Sequence, residues 1–252
     1  RTLTDNTRKN VLQVGDAAGS ILPAGPRVYI SGQAEKGDGS LADATRQTMK
    51  GLLKTMEHLG LSRHDVVHLK AFLSPMSDSA IAIQEMIAVF PRETPPPIVL
   101  VEWESSLPIE IELVAASPMP KDKSKGPPME FITPPGLKPS PVFCRVVRLN
   151  HPATIYLAGI YGSANDPYSE AEVVDLFASL RHTVEACGSD MQHLAKATYY
   201  VTLDQVSDAL GAVRTRVYDP ERPPAASKAK VRGTGRTGRF ITLDMIAVPK
   251  GP

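Results

Sequence analysis

Val28-Tyr29-Ile30-Ser31-Gly32 is echoed by Ile155-Tyr156-Leu157-Ala158-Gly159, with Gly159 lying 127 residues after Gly32. Leu59-Gly60 returns as Cys187-Gly188, and Val67 to Leu73 returns as Ala195 to Val201, both at a spacing of 128. Ile109 to Pro118 returns as Arg239 to Pro249. Spacing this steady marks a tandem duplication in which each half is one folding unit. The residues kept and lost between the two copies then serve as an internal comparison.

Composition agrees with two units. A chain of 252 residues, 42% hydrophobic and 22% charged, can supply two domains of roughly 120 residues, each with its own core. Net charge is +1, so no global attraction to nucleic acid or to an anionic membrane is implied. No apolar run reaches the ~20 residues that span a bilayer. Cys144 and Cys187 stand in no CxxC or paired ligand spacing, which argues against a disulfide scaffold and a zinc site. No cofactor motif emerges and no metal is expected. A reduced, cytoplasmic setting is the default, while a start at Arg1 rather than Met leaves a removed targeting segment open.

Between Pro118 and Pro141 lie eight of the 23 prolines, beside Lys121-Asp122-Lys123-Ser124-Lys125-Gly126, a composition that suits a solvated, extended linker. The expected division is a first domain over 1–118, a linker over 119–128 and a second domain over 129–252, with Phe131 to Pro141 as an ordered entry segment. In the first domain Arg27 to Ser31 reads as a strand. Met49, Leu52, Leu53, Met56 and Leu59 recur at helical spacing up to Gly60. A strand follows at Val66 to Leu73, then a helical stripe of Ile83, Met86, Ile87 and Phe90 closed by Pro91, and strands at Ile98 to Glu102 and Ile109 to Ala116. The second domain repeats the order. Strands at Val142 to Leu149 and Thr154 to Ala158 precede a helix carrying Val173, Leu176, Phe177, Leu180 and Val184. A strand at Lys196 to Thr202, a helix with Val206, Leu210, Val213 and Val217, and strands at Ala226 to Arg232 and Arg239 to Val248 complete it. The fold class is α+β: in each unit a mixed sheet with two helices on one face.

These residues carry a resemblance. Tyr29 to Gln33, Gln47-Thr48 in a helix ending in Leu-Gly, Val66-Val67 before Phe72, Asp78 after that strand, and Ile109-Glu110-Ile111-Glu112 resemble the RidA (YjgF, L-PSP endoribonuclease-like) family, as does Pro134-Pro135-Gly136-Leu137 in the second half. Both halves match in order. The resemblance implies tandem chorismate-mutase-like β-β-α-β-α-β-β domains, three-fold rings with ligand pockets between neighbouring domains, and cofactor-independent hydrolysis of reactive enamines and imines. Three two-domain chains, giving six domains, would fill two stacked rings, so a homotrimer is expected. Such chemistry needs a cation for the substrate carboxylate, for which arginine's planar fork is suited, and an acid/base group for water at the imine carbon. The resemblance places the arginine in a Pro-Ala-Arg signature before the penultimate strand. It places the glutamate first in the Ile-Glu-Ile-Glu strand, at Glu110.

The departures bear on function. The first signature has become Thr94-Pro95-Pro96-Pro97 and the second Pro224-Ala225-Ala226-Ser227, so neither offers a guanidinium. Glu110 has Thr242 as its counterpart. Neither half holds the full pair, and two readings stay open: a small-metabolite hydrolase of the imine deaminase type, or a non-catalytic module binding an anionic metabolite.

Each candidate residue also has a plainer reading. Glu110 is the candidate acid/base, and Glu110 and Glu112 share one strand face, which could instead be a solvated polar face. Ser31-Gly32 ends its strand at the implied pocket wall, where a glycine admits a ligand close to the backbone or simply makes a turn. Gly159 keeps the glycine while Ala158 loses the hydroxyl. Lys228, two residues from Ala226 on the same face, could supply a point charge in place of the missing fork, or belong to a solvated basic strand. Phe143 lies where the family has a residue near the pocket mouth. Its neighbour Cys144 reads as a small buried cysteine rather than a nucleophile. Five basic residues and no acidic one from Lys228 to Arg239 invite an RNA-binding alternative, against which stands the lack of interleaved aromatics. Gly233-Thr234-Gly235-Arg236-Thr237-Gly238 has no following helix and reads as a hairpin loop rather than a dinucleotide site.

Overall fold

The computed structural model describes residues 11–14, 17–90, 95–118 and 127–251. Pro91 and Thr94, and residues 119–126 of the expected linker, lie outside the described residues. By internal contacts the chain divides into two compact units. One takes the described residues of Arg1–Arg27, Gly32–Glu102 and Ser106–Met119, the other those of Val28–Ser31, Trp103–Ser105 and Pro120–Pro252.

The first half runs β1 (Val11–Val14), β2 (Ala17–Ser20), β3 (Arg27–Gln33), α1 (Leu41–His58), β4 (Val66–Leu73), α2 (Ser79–Ile87), β5 (Ile98–Glu102) and β6 (Ile109–Ala116). The second runs β7 (Met129–Ile132), β8 (Val146–Leu149), β9 (Ile155–Ile160), α3 (Glu170–Ala186), β10 (Leu194–Val201), α4 (Asp204–Val217), β11 (Ala225–Lys230) and β12 (Ile241–Ala247). From β2 and from β8 onward, each half follows the β-β-α-β-α-β-β order, and the fold is α+β with mixed sheets. Strands β1, β2 and β7 were not expected. The strand expected over Val142 to Leu149 is shorter, because Phe143 and Cys144 form only isolated bridges, to Ser140 and Ala225.

In the first unit β4 pairs parallel with β5 and antiparallel with β6. In the second, β10 pairs parallel with β11 and antiparallel with β12, which pairs in turn with β9. The registers repeat: Leu69 faces Ile98 and Ala197 faces Ala226, while Phe72 faces Glu110 and Tyr200 faces Thr242. Since Leu69 to Ala197 and Phe72 to Tyr200 are both steps of 128, Glu110 and Thr242 are equivalent positions, as expected. Ala226 is matched by Ile98 rather than by one of Pro95 to Pro97. The register therefore moves the first unit's signature to Pro96-Pro97-Ile98, which also lacks a guanidinium.

Helix α1 starts at Ser40, whose hydroxyl accepts from the Asp43 N–H at 3.2 Å, satisfying one of the donors orphaned at a helix start. It ends at His58 with Leu59 as its cap. It buries Met49, Leu52 and Met56, and α3 buries Phe177, Leu180 and Val184 at the same steps of 128. The α2 stripe is rotated from expectation: Ala82, Met86 and Phe90 are buried, at spacings of four, whereas Ile87 is exposed and Ile83 half-buried. Each helix pair packs side by side, with α1 over β6, α3 over β9 and β12, and α4 over β10.

The core of the second unit is not wholly apolar. Tyr199 on β10 and Tyr218 after α4 are both buried and hydrogen-bonded through their hydroxyls. The Phe177 ring meets Tyr218 edge-on, with centroids 5.6 Å apart. Buried hydroxyls of this kind need partners, and here each serves the other.

Truncating Leu52 or Leu180 to alanine removes a fully buried side chain from equivalent helix positions and should cost about 2–5 kcal/mol in each case, measured by denaturant unfolding. Burial pushes Tyr199 from its ordinary 10.0 up to about 12, against the pull of the nearby Arg214 charge. Because the folded state holds this proton more tightly, its contribution is intact below pH 10 and is lost as pH rises towards 12. Ultraviolet titration of tyrosinate should show Tyr199 ionising together with alkaline unfolding.

Candidate functional site

The candidate residues fall into two local arrangements, one in each unit. In the first unit Glu110 stands on β6 between the buried Ile109 and Ile111, half-buried, with Oε1 shielded from solvent. Its carboxylate fills the space above Gly32. A Cβ at that glycine would come within 1.9 Å of Glu110 Oε1 and 2.6 Å of its Cγ. Gly32 does not adopt a positive φ, so its lack of a side chain makes room for a carboxylate rather than shaping a turn. Glu112, two residues along, is buried and pairs with Lys70 Nζ at 3.3 Å, which gives it a structural part.

Gly159 is used differently. Opposite β12 the register slips, so that Ile160 faces Leu243 and Leu157 faces Met245, leaving Ala158 and Gly159 against Asp244 alone. Gly159 takes φ +64° in this bulge, a conformation costly for residues with a Cβ. Its N–H points to Asp244 Oδ1 at 3.4 Å. Both Ala158 and Gly159 are exposed. One glycine thus creates space and its echo bends a strand.

In the second unit Ser31 is fully buried; its N–H donates to the Arg145 carbonyl at 2.9 Å, and its Oγ has no hydrogen-bond partner among the described residues. Phe143 is half-buried against the core, with the Arg145 guanidinium 4.7 Å over its ring. Arg145 Nε donates to the Lys138 carbonyl at 3.1 Å. Cys144 is buried, its Sγ 3.1 Å from the Val146 carbonyl, and burial pushes the thiol up, outweighing Arg145. It remains a thiol at neutral pH, not a nucleophilic thiolate.

Ala226 lies in the core beneath the helices. Lys228, on the same face but exposed, reaches the N-terminal part of α4 and donates to Ser207 Oγ at 2.7 Å. Lys230 bridges Asp204 at 3.0 Å and Glu104 at 3.4 Å. Arg236 lies 5.4 Å over the Tyr161 ring. Arg239 pairs at 2.8 Å with Glu172, a fully buried carboxylate on α3 that also accepts the Ala164 N–H at 3.0 Å. The basic stretch is therefore tied into its own unit at several points. Sequence patterning missed Glu172 because it occupies a core position of α3, the counterpart of Ala44 at a step of 128. A lone acidic residue on a helix's apolar face was the available signal.

Among the described residues, no group of His, Cys, Asp and Glu is placed to hold a metal ion, and no helix is long and apolar enough to cross a membrane.

Solved structures of the YjgF/Rid family are similar to this chain, each over about half of it. A YjgF-family protein from Neisseria meningitidis shares 19% identity at a TM-score of 0.37, over 49% of this chain and 97% of that one. A Rid-family protein of unknown function from Yersinia pestis shares 18% at 0.43, over 48% and 98%. RidA from an Antarctic Psychrobacter shares 24% at 0.33, over 44% and 96%. No protein-family model and no curated protein matches the sequence.

Replacing Gly32 by alanine should destabilise the chain by about 1–3 kcal/mol through collision with the Glu110 side chain. Adding Glu110→Ala removes every atom in that collision and should restore most of the loss. Gly159→Ala, strained by its backbone, should cost about 1–2 kcal/mol and gain nothing from Glu110→Ala. Chemical denaturation of the four variants checks both statements.

Proposed function

We propose that this chain is a tandem RidA-type protein, built as a first domain, a linker and a second domain, that binds a small anionic metabolite. Any hydrolytic chemistry it retains, of the enamine or imine deaminase type, would centre on Glu110. The observation that carries this reading is the Glu110 carboxylate seated over Gly32. A partly shielded carboxylate on a rigid strand is suited to taking a proton from water and returning it to a leaving amine. No cofactor is required. Gly32 in the first unit, and Ser31, Phe143 and Gly159 in the second, would line the binding regions of their own units. Lys228 would provide a point charge for a ligand carboxylate in the second unit.

A second reading is favoured by Ile98 and Ala226, which stand at the two positions where the resemblance expects arginine. With no fork at either, the chain would serve as a binding or regulatory module that performs no turnover. RNA binding fits less well, since Lys230 and Arg239 are already engaged with acidic groups. The proposed assembly is a homotrimer of two-domain chains, which sedimentation would test.

Freshly generated 2-aminoacrylate separates the two main readings. The hydrolase reading expects ammonia release above the spontaneous rate, lowered at least tenfold by Glu110→Gln, and Lys228→Met should weaken carboxylate binding by the second unit. Absence of any acceleration, alongside saturable binding of a small carboxylate, would leave the binding module.

A further inference from the structure

Arg214 sits in the last turn of α4 and is 9% exposed. Its guanidinium lies over the Tyr199 ring, Cζ 5.1 Å from the centroid, and its Nε is buried without a hydrogen-bond partner. Among the described residues no carboxylate forms an ion pair with it, in contrast to Arg239, Arg216 and Arg148 of the same unit, each of which meets a glutamate. A buried cation left without an anion is costly, commonly by several kcal/mol. The negative end of α4 and the face of Tyr199 offset part of that cost.

The groups around it deepen the imbalance. Tyr199 and Tyr218 hydrogen-bond to each other, and a single bond between two hydroxyls uses one of their two protons, leaving the other O–H as a donor. Burial raises both phenols, so at neutral pH they are protonated donors rather than anions able to balance the arginine. The cluster therefore gathers the N–H groups of a guanidinium and a spare O–H, with the two phenol oxygens as the acceptors within it. What it lacks is negative charge.

We infer that Arg214, with the Tyr199–Tyr218 hydroxyl pair, forms an anion-binding site in the second unit that takes a small oxyanion, either a carboxylate or inorganic phosphate. A two-oxygen face matches the planar guanidinium fork, and the remaining phenol proton gives a third contact. Chloride, a single point acceptor, should bind more weakly. The site involves neither Glu110 nor Lys228, so it stands whether or not the chain turns over a substrate.

Thermal unfolding of the full chain at constant ionic strength, titrated separately with acetate, phosphate and chloride, tests the proposal. The expected result is a saturable rise in Tm with acetate or phosphate, about 3–5 °C at tenfold the dissociation constant. Arg214→Met should abolish the rise, and Tyr218→Phe should weaken the affinity several-fold. Saturation by acetate alone would identify an organic acid as the ligand class, and saturation by phosphate alone an inorganic or phosphorylated one. Should Arg214→Met fail to fold, anomalous scattering from selenate soaked into wild-type crystals decides, with a peak within hydrogen-bonding distance of the Arg214 guanidinium expected. No saturation with either oxyanion, an equal rise in a folded Arg214→Met, or only water at the guanidinium would overturn the proposal.

Discussion

Antiparallel pairing of each unit's central strand with its last strand sets the position of Glu110 and of its counterpart Thr242. Phe72 opposite Glu110 and Tyr200 opposite Thr242 are the same pair of sites, and a slip of one residue would carry each side chain to the other face of its sheet. The buried Ile109, Ile111 and Leu113 lock that register in the first unit, since a slip would bring Glu110 and Glu112 to their face in exchange. Hydrophobic burial of these neighbours thereby helps hold Glu110 at Gly32.

Much of this was legible in the sequence, because duplication turns one chain into a two-member comparison. The helical repeats were readable because core positions recur at a fixed step, and Leu52 with Leu180 or Met56 with Val184 proved to be equivalent buried sites. The short strands β1, β2 and β7 escaped because four residues carry too little alternation to stand out from a loop. The face of α2 was misjudged since Ile87 is apolar yet lies outside the buried line of Ala82, Met86 and Phe90. In nine helical residues several apolar stripes can be drawn.

The candidate site was less legible than the fold. Two glycines at matching positions look alike in sequence, but Gly32 is emptied to admit a carboxylate and Gly159 takes a left-handed turn in a bulge. What separates them is the neighbour across the sheet, Glu110 in one case and Asp244 in the other. The proline-rich signature misled for a related reason. Only the parallel pairing of β4 with β5 shows that Ile98, already inside the strand, matches Ala226.

The arrangement of charge follows from the same divergence. Where α1 buries Ala44, α3 buries Glu172, and a carboxylate removed from water must recruit a cation. Arg239 fills that part and also holds the Ala164 carbonyl at 3.0 Å, fixing the segment before α3. Lys230 is likewise drawn to Asp204 at the start of α4, where an acidic residue is favoured by the helix dipole. A run that looks in sequence like a patch for polyanions is thus partly consumed by the internal acids of its own unit. Arg214 is the informative contrast. It is more buried than the paired Arg239 and Arg148, yet what faces it is an aromatic ring and two protonated phenols. Charge balance, rather than sequence position, marks it out.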